Sequence, residues 1–138
     1  MKDRFRIRVG AVLFINNKIL LITHKKKGKE YWVLPGGRVE FKEKAEAALI
    51  REIQEELNLK VKIKEFLFFN ESLPPSYPVH TLNLFFLVKP LNTGIVLEKN
   101  SIIGKYDYFS RNQIKKLLLY PKINNIIFNS FDQWLKKI

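Results

Sequence analysis

The most informative segment of this chain reads Gly37-Arg-Val-Glu-Phe-Lys-Glu43-Lys-Ala-Glu-Ala-Ala-Leu-Ile-Arg51-Glu-Ile-Gln-Glu-Glu-Leu-Asn-Leu59. From Lys44 to Leu57 the apolar residues recur at spacings of three and four, which predicts an amphipathic helix. Asn58 tolerates a left-handed backbone conformation, so we expect the helix to end there. The segment therefore predicts one well-bounded helix with a dense set of acids.

Three acids of this helix are placed where they need a cation. On a helical wheel Glu52, Glu55 and Glu56 fall beside the apolar stripe, where like charges repel one another and lose solvation. Arg51 borders the same sector, but one guanidinium does not balance three carboxylates. A hard divalent cation does, and Mg²⁺ characteristically keeps further positions for water and substrate phosphate. The helix is therefore predicted to hold a metal ion.

A tight turn precedes the acidic helix. Pro35 fixes the approach of the chain, and Gly36 and Gly37 let the backbone come close to a ligand because neither carries a Cβ. A carbonyl of this turn can face the acidic helix. The turn and the helix are thus expected to form two sides of one site.

The flanking sequence alternates between strand-like and helix-like patterns. Strands are predicted at 5–15, 18–24, 31–34, 61–69, 79–88 and 106–109, and closing helices at 111–119 and 123–137. Asn16-Asn17 is expected to form a tight hairpin turn. Lys25-Lys-Lys-Gly-Lys29 is expected to be a cationic loop in which Lys25, Lys26 and Lys27 are mobile and solvated, and which is able to steer anions. Interleaved strands and helices without a linker predict a single α/β domain over residues 1–138.

Composition excludes several classes of protein. The 138 residues include no Cys, which rules out disulfide scaffolds and cysteine-built zinc sites. The chain is too apolar for disorder, and its longest apolar runs are too short for a membrane helix. The first residues show no apolar signal region, so a cytoplasmic protein without a membrane partner is expected.

The charge distribution points to an anionic partner. The formal charge is 25 − 13 = +12, yet residues 37–59 carry 4 − 6 = −2, so the rest of the chain carries 21 − 7 = +14. An acidic island within a basic chain would hold a metal ion, while its surroundings attract a phosphorylated ligand.

The segment Gly37 to Leu59 resembles the Nudix box of the Nudix hydrolases, Gly-x5-Glu-x7-Arg-Glu-U-x-Glu-Glu-x-Gly-U, in which U is a bulky aliphatic residue. Every specified position matches except the last Gly, which is Asn58 here. Trp32 to Gly37 and Glu40 also resemble the approach to the box, although Lys42 stands where the family often has Gly. The resemblance implies the Nudix-type α/β/α sandwich, with a mixed sheet between helices.

The resemblance also implies an activity and its metal site. Nudix hydrolases split a nucleoside diphosphate linked to another group, with Mg²⁺ or Mn²⁺ bound by the box helix. In family terms Glu52, Glu55 and Glu56 would be metal ligands, and the Gly36 carbonyl a further one.

Other residues receive roles from the same resemblance. Arg51 and Glu43 would orient the ligands. The base that takes a proton from water is expected to be Glu55 or Glu52. Glu98 is the candidate outside the box, although a surface role is favoured for it.

Substrate preference rests on less specific features. Arg4, Arg6 and Arg8 share one face of the first strand, which is either solvated or presents Arg8 to a substrate phosphate. Further substrate-binding candidates are Gly37, Glu40 and Tyr77, the last as a base-stacking residue. Pro74 and Pro75 follow the box where ADP-ribose pyrophosphatases of the family tend to have a Pro.

ADP-ribose or a nucleotide sugar is therefore ranked first among the substrates. Hydrolysis of an oxidised nucleoside triphosphate or of a dinucleoside polyphosphate ranks second. RNA binding or processing of an RNA 5′ end is a less favoured alternative, and a non-catalytic nucleotide sensor is a third. The protein is expected to be a monomer or a homodimer.

Overall fold

The computed structural model of the protein describes residues 4–99 and 102–138. Within these residues the chain forms seven strands and three helices. Their bounds are β1 Phe5–Ile15, β2 Lys18–Lys26, β3 Lys29–Val33, β4 Gly36–Arg38, α1 Ala45–Leu57, β5 Val61–Ser72, β6 His80–Pro90, β7 Ile103–Phe109, α2 Arg111–Ile114 and α3 Asn124–Leu135. None of these helices is long and apolar enough to cross a membrane.

The strands form one mixed sheet with the order β3-β2-β1-β6-β5, in which β4 pairs with β1 and β7 pairs with β2. The central strands β1 and β6 are parallel, and the other pairs are antiparallel. Helix α1 packs on one core and α3 on the other, because successive residues of β1 point alternately into the two cores. The predicted sandwich with a mixed sheet between helices is confirmed.

A solvated arginine face, one of the two alternatives given for the first strand, is not what the structure shows for Arg6 and Arg8. Phe5 and Ile7 are 58% and 36% exposed, whereas Arg6 and Arg8 are partly buried. The buried core below α1 begins at Val9, so the apolar face of β1 is left uncovered before that residue. The arginine face instead turns into a cleft on the other side of the sheet.

Two predicted turns are present as expected. Asn16 and Asn17 have φ of 51° and 65°, which suits the two-residue hairpin between β1 and β2. Asn58 has φ of 56° and ends α1, with its N–H donating to the Gln54 carbonyl at 3.0 Å. The left-handed conformation that the box glycine would supply is therefore provided by asparagine.

Three segments differ from the sequence-based expectation. Residues 25–29 do not form a loop. Strands β2 and β3 continue to a two-residue turn, and Lys26 pairs with Lys29 on either side of it. Residues 36–38 form the short strand β4 on β1. The helix predicted over 111–119 is limited to α2. Beyond α2 the chain forms hydrogen bonds with β3, where the Trp32 N–H donates to the Leu118 carbonyl at 3.0 Å.

Candidate active site

The glycine turn contacts the acidic helix directly. The Gly36 N–H donates to Oε1 of Glu56 at 3.0 Å, and Glu56 is only 6% exposed. A Cβ on Gly36 would overlap the backbone carbonyl of Val9, and a Cβ on Gly37 would overlap the carboxylate of Glu52. Both positions therefore require glycine, because strand β1 and helix α1 approach the turn from opposite sides.

Arg51 gathers the acids around one guanidinium. Its Nε and Nη2 donate to the two carboxylate oxygens of Glu43 at 2.8 and 2.9 Å. Its Nη1 donates to Glu52 at 2.7 Å and to Glu55 at 3.1 Å. Its Nη2 also reaches the carbonyl of Arg38 at 3.1 Å. One side chain thus ties the helix to the segment between β4 and α1.

The acids differ in their electrostatic environment. The hydrogen bond from Arg51 lowers the pKa of Glu43 to about 2. Burial raises the pKa of Glu52, although Arg51 opposes that shift. Burial raises the pKa of Glu56 to about 8, against the hydrogen bond from Gly36, and the nearby charge of Glu52 adds to the rise. Ionisation of all these carboxylates together, without a bound cation, is therefore unfavourable.

The structure brings Glu98 to the acidic helix. The Glu98 N–H donates to the backbone carbonyl of Glu56 at 3.0 Å, and the charge of Glu98 contributes to the raised pKa of Glu56. Glu40 lies on the opposite side, where its N–H donates to Glu43 at 3.0 Å and its carboxylate is 3.9 Å from Arg51. Both candidates thus adjoin the cluster.

The donor set suits a hard divalent cation. Among residues 4–99 and 102–138, no three acidic or imidazole side chains already converge on one point in ligand geometry. The available donors are nevertheless all oxygens, and Glu52 occupies the space above Gly37 that a Cβ would fill. Gly36 contacts the helix through its N–H, and its carbonyl remains a predicted ligand. Glu55 lies further out, with 49% of its side chain exposed.

A cleft of about 570 Å³ lies on the arginine side of β1. Its walls come from β1, β6, the β2–β3 hairpin and the loop before β6. The aromatic lining residues are Tyr31, Tyr77, Phe85 and Tyr120. The polar and cationic ones are Arg6, Arg8, His24, Lys26, Lys27, Lys29, Ser76, Thr81 and Asn83.

Arg8 joins the cleft to the acidic cluster. It lines the cleft, and its charge lowers the pKa of both Glu52 and Glu56. The same charge acts on His24, although burial is the larger cause that lowers the pKa of His24 to about 4. Burial also lowers the pKa of Arg6, and the neighbouring arginines add to that shift. An anion beside Arg8 would thus be close to the acids.

Aromatic side chains form the middle of the cleft. The rings of Tyr31 and Tyr120 meet edge to face at 5.0 Å, and the His24 ring lies 6.0 Å from Tyr31. Tyr77 is partly buried, and burial raises its pKa. The structure therefore places Tyr77 and Arg8, two of the substrate-binding candidates, in one cavity.

Several cleft residues were not predicted from the sequence. If the hairpin had been predicted, the alternation of side chains along β2 and β3 would have placed four of them on one face: His24, Lys26, Lys29 and Tyr31. Tyr120 gave no local signal, because its segment is held at the cleft by hydrogen bonds to the distant strand β3, including the bond from the Tyr120 N–H to the Trp32 carbonyl.

Comparison with known proteins gives the family. The NUDIX domain model matches residues 4–129. An ADP-ribose pyrophosphatase of Methanocaldococcus jannaschii is 32% identical over 112 residues, which cover 80% of this chain and 65% of that protein. An RNA pyrophosphohydrolase of Teredinibacter turnerae is 38% identical over 65 residues, which cover 47% of this chain and 38% of that protein.

The chain thus spans less than two thirds of the length of either relative. A MutT protein of Methanosarcina mazei Go1 has the same fold, with a TM-score of 0.81, 18% identity and 99% of both chains covered. Nudix proteins generally use divalent metal cations. The match to the domain model, together with the box segment on α1, shows that this chain belongs to the Nudix family.

Proposed function

We propose that this chain hydrolyses the pyrophosphate bond of a nucleoside diphosphate linked to another group, with ADP-ribose or a nucleotide sugar as the favoured substrate. One observation carries the proposal: Arg8 lines a cationic, aromatic cleft, and its charge also acts on Glu52 and on the buried Glu56 of the acidic cluster. A pyrophosphate bridging them would place its nucleoside among the tyrosines.

The divalent cation proposed for this site is Mg²⁺, with Mn²⁺ as the alternative. Glu52, Glu55 and Glu56 would hold it, with the Gly36 carbonyl as a further ligand. When bound, such a cation neutralises phosphate oxygens and lowers the pKa of a water molecule.

The surrounding residues would position the reacting groups. Arg51 and Glu43 keep the carboxylates of the helix in one orientation through the bidentate contact at 2.8 and 2.9 Å. Glu55, the most exposed of the three box acids, or Glu52 would accept the proton of the attacking water. Glu98 is the alternative acceptor from outside the box.

The cleft residues would bind the rest of the substrate. Arg8 would hold a phosphate oxygen by charge-assisted hydrogen bonds. Tyr77 would stack the base with help from Tyr31 and Tyr120. Gly37 and Glu40 would contact the substrate beside the acidic cluster. The similarity to the M. jannaschii ADP-ribose pyrophosphatase supports the choice of ADP-ribose as the first substrate to test.

RNA 5′-end hydrolysis is the second candidate, because the chain carries a net charge of +12 and is similar to an RNA pyrophosphohydrolase over 65 residues. RNA binding by phosphate contacts falls steeply with salt. Turnover of ADP-ribose with little salt dependence, and no RNA affinity at low salt, would exclude this candidate.

A substrate panel tests the proposed function. ADP-ribose, nucleotide sugars, dinucleoside polyphosphates and oxidised triphosphates are incubated with Mg²⁺ or Mn²⁺ in ¹⁸O-labelled water, and the products are identified by mass. We expect AMP or another nucleoside monophosphate, with ¹⁸O on one product, and no reaction in the presence of EDTA. No turnover of any panel member with either metal would contradict the proposal.

Arg51→Lys is expected to lower kcat/KM about 10- to 100-fold and kcat more than KM. Lysine keeps the charge but has no planar fork, so it cannot hold Glu43 and both box acids together. Steady-state kinetics over a range of Mg²⁺ concentrations measures the effect. Wild-type kcat in this variant would show that the guanidinium does not position the acids.

A further inference from the structure

The cleft carries more positive charge than a pyrophosphate needs. Five cationic side chains line it, namely Arg6, Arg8, Lys26, Lys27 and Lys29, and its described lining residues include no Asp or Glu. Within the described part of the chain, no carboxylate lies at ion-pair distance from any of the five. Unpaired cations around a cavity favour a highly anionic ligand.

The five cations form two separate groups. Arg6 and Arg8 lie on β1, where the charge of Arg8 acts on Glu52 and Glu56, whereas the three lysines lie at the tip of the β2–β3 hairpin. Lys26 is two residues beyond His24 on the same face of β2, which places its Cα about 7 Å further along the strand. The lysines therefore lie beyond the aromatic part of the cleft, as seen from Arg8.

The hairpin geometry directs these lysines to the cleft. Lys26 and Lys29 are opposite one another in the strand register, and Tyr31 follows Lys29 on the same face of β3. Lys25 points to the other face, where its side chain lies beside Gly104. Lys27 occupies a left-handed turn position with φ of 52°, which Gly or Asn would adopt more easily. Three of the four lysines thus line the cleft, and the fourth does not.

A simple nucleoside would leave the lysines without a partner. In the proposed function, on which this inference rests, the pyrophosphate lies beside Arg8 and the uncharged nucleoside lies between the tyrosines. The group that reaches the hairpin is then a substituent of the ribose. A phosphate monoester carries up to two negative charges and accepts hydrogen bonds from several ammonium groups.

We propose that the substrate of this cleft is a nucleotide with a second phosphate esterified to a ribose hydroxyl, and that Lys26, Lys27 and Lys29 bind that phosphate. The three lysines are specificity-determining residues for the nucleoside end of the substrate. They do not contact the bond that is cleaved.

Binding of small nucleotides tests the assignment without turnover. Isothermal titration calorimetry in the presence of EDTA measures the affinity of the protein for AMP, adenosine 2′,5′-bisphosphate and adenosine 3′,5′-bisphosphate. We expect one bisphosphate to bind the wild-type protein about tenfold more tightly than AMP, since three solvated ion pairs contribute about that factor together. In the triple variant Lys26→Gln, Lys27→Gln, Lys29→Gln the preference should fall to about twofold or less, with AMP affinity nearly unchanged.

A matched triple variant controls for net charge. Lys60→Gln, Lys62→Gln, Lys64→Gln removes three exposed lysines around the start of β5, none of which lines the cleft. This variant should keep the tenfold preference for the bisphosphate. The proposal is overturned if the wild type shows no preference, if the cleft variant keeps it, or if the control variant loses it to the same extent.

Hydrolysis separates this inference from the proposed function. ADP-ribose and its 2′- and 3′-phosphate derivatives are compared by kcat/KM with Mg²⁺. Equal turnover of all three, with no bisphosphate preference in binding, would overturn the inference and leave the proposed function standing. A lysine-dependent bisphosphate preference without turnover of these compounds or of any member of the substrate panel would support the lysine site and contradict the hydrolytic function. Lysine-dependent affinity for a 5′-phosphorylated oligonucleotide alone would assign the lysines to RNA instead.

Discussion

Glu56→Gln is expected to reduce metal-dependent hydrolysis at least about 100-fold while leaving the fold intact. The glutamine keeps the size of the side chain, and its Oε1 can still accept the hydrogen bond that Gly36 donates at 3.0 Å. The lost charge removes the most deeply buried of the three proposed cation ligands. Activity over a Mg²⁺ titration measures the change, and wild-type kcat/KM would show that Glu56 is not a ligand.

The same substitution is expected to stabilise the metal-free protein, and more so as the pH rises. Burial raises the pKa of Glu56 to about 8, against 4.5 in the unfolded chain, so the native state holds the proton more tightly. Ionisation of the unfolded chain therefore lowers the wild-type free energy of unfolding between pH 4.5 and pH 8. Glu56→Gln has no such loss, so its free energy of unfolding should exceed that of the wild type by roughly 4 kcal/mol at pH 8.

Urea unfolding in EDTA at pH 5 and pH 8 measures this difference. Glu55→Gln is the control, because Glu55 is half exposed and its removal should change the metal-free stability much less. If Glu56→Gln raised the free energy of unfolding by the same amount at both pH values, the assigned pKa shift would be contradicted.

Gly36→Ala is expected to destabilise the protein by about 3 kcal/mol or more. Its Cβ would overlap the Val9 carbonyl, which is backbone and cannot rotate away. Strand β4 would have to leave β1, and the hydrogen bond from Gly36 to Glu56 would be lost with it. The free energy of unfolding from urea titration measures the effect.

Gly94→Ala provides the control for Gly36→Ala. Gly94 has a positive φ of 90°, but a Cβ there would meet open space, so only backbone strain of about 1 kcal/mol is expected. Gly37→Ala differs again, because its Cβ would displace the Glu52 side chain, so activity should fall more than stability. Equal destabilisation by Gly36→Ala and Gly94→Ala would contradict the steric argument.

The parts of the fold that were predicted from the sequence are set by neighbouring residues. Helix α1 follows from the spacing of Ala48, Leu49, Ile53 and Leu57, which are all buried. Its end follows from the left-handed preference of Asn58. Such local signals need no knowledge of the rest of the chain.

The placement of Glu98, Arg6 and Arg8 could not be predicted, because it depends on contacts between distant segments. Glu98 reaches the acidic helix because residues 96–98 return along its end, where the Val96 N–H donates to the Leu57 carbonyl at 3.0 Å. Arg6 and Arg8 are half-buried because the β2–β3 hairpin forms the opposite wall of the cleft. No periodicity within β1 distinguishes a face that meets water from a face that meets a polar cavity.

The guanidinium of Arg51 has a consequence for how the acidic site responds to a cation. Because Nη1 already bridges Glu52 and Glu55, the two side chains lose their rotational freedom when the protein folds. A cation held by Glu52 and Glu55, as proposed above, would find the two carboxylates already close together. The entropy of bringing this pair of carboxylates together is therefore lost when the protein folds, and it would not be lost again when a cation binds.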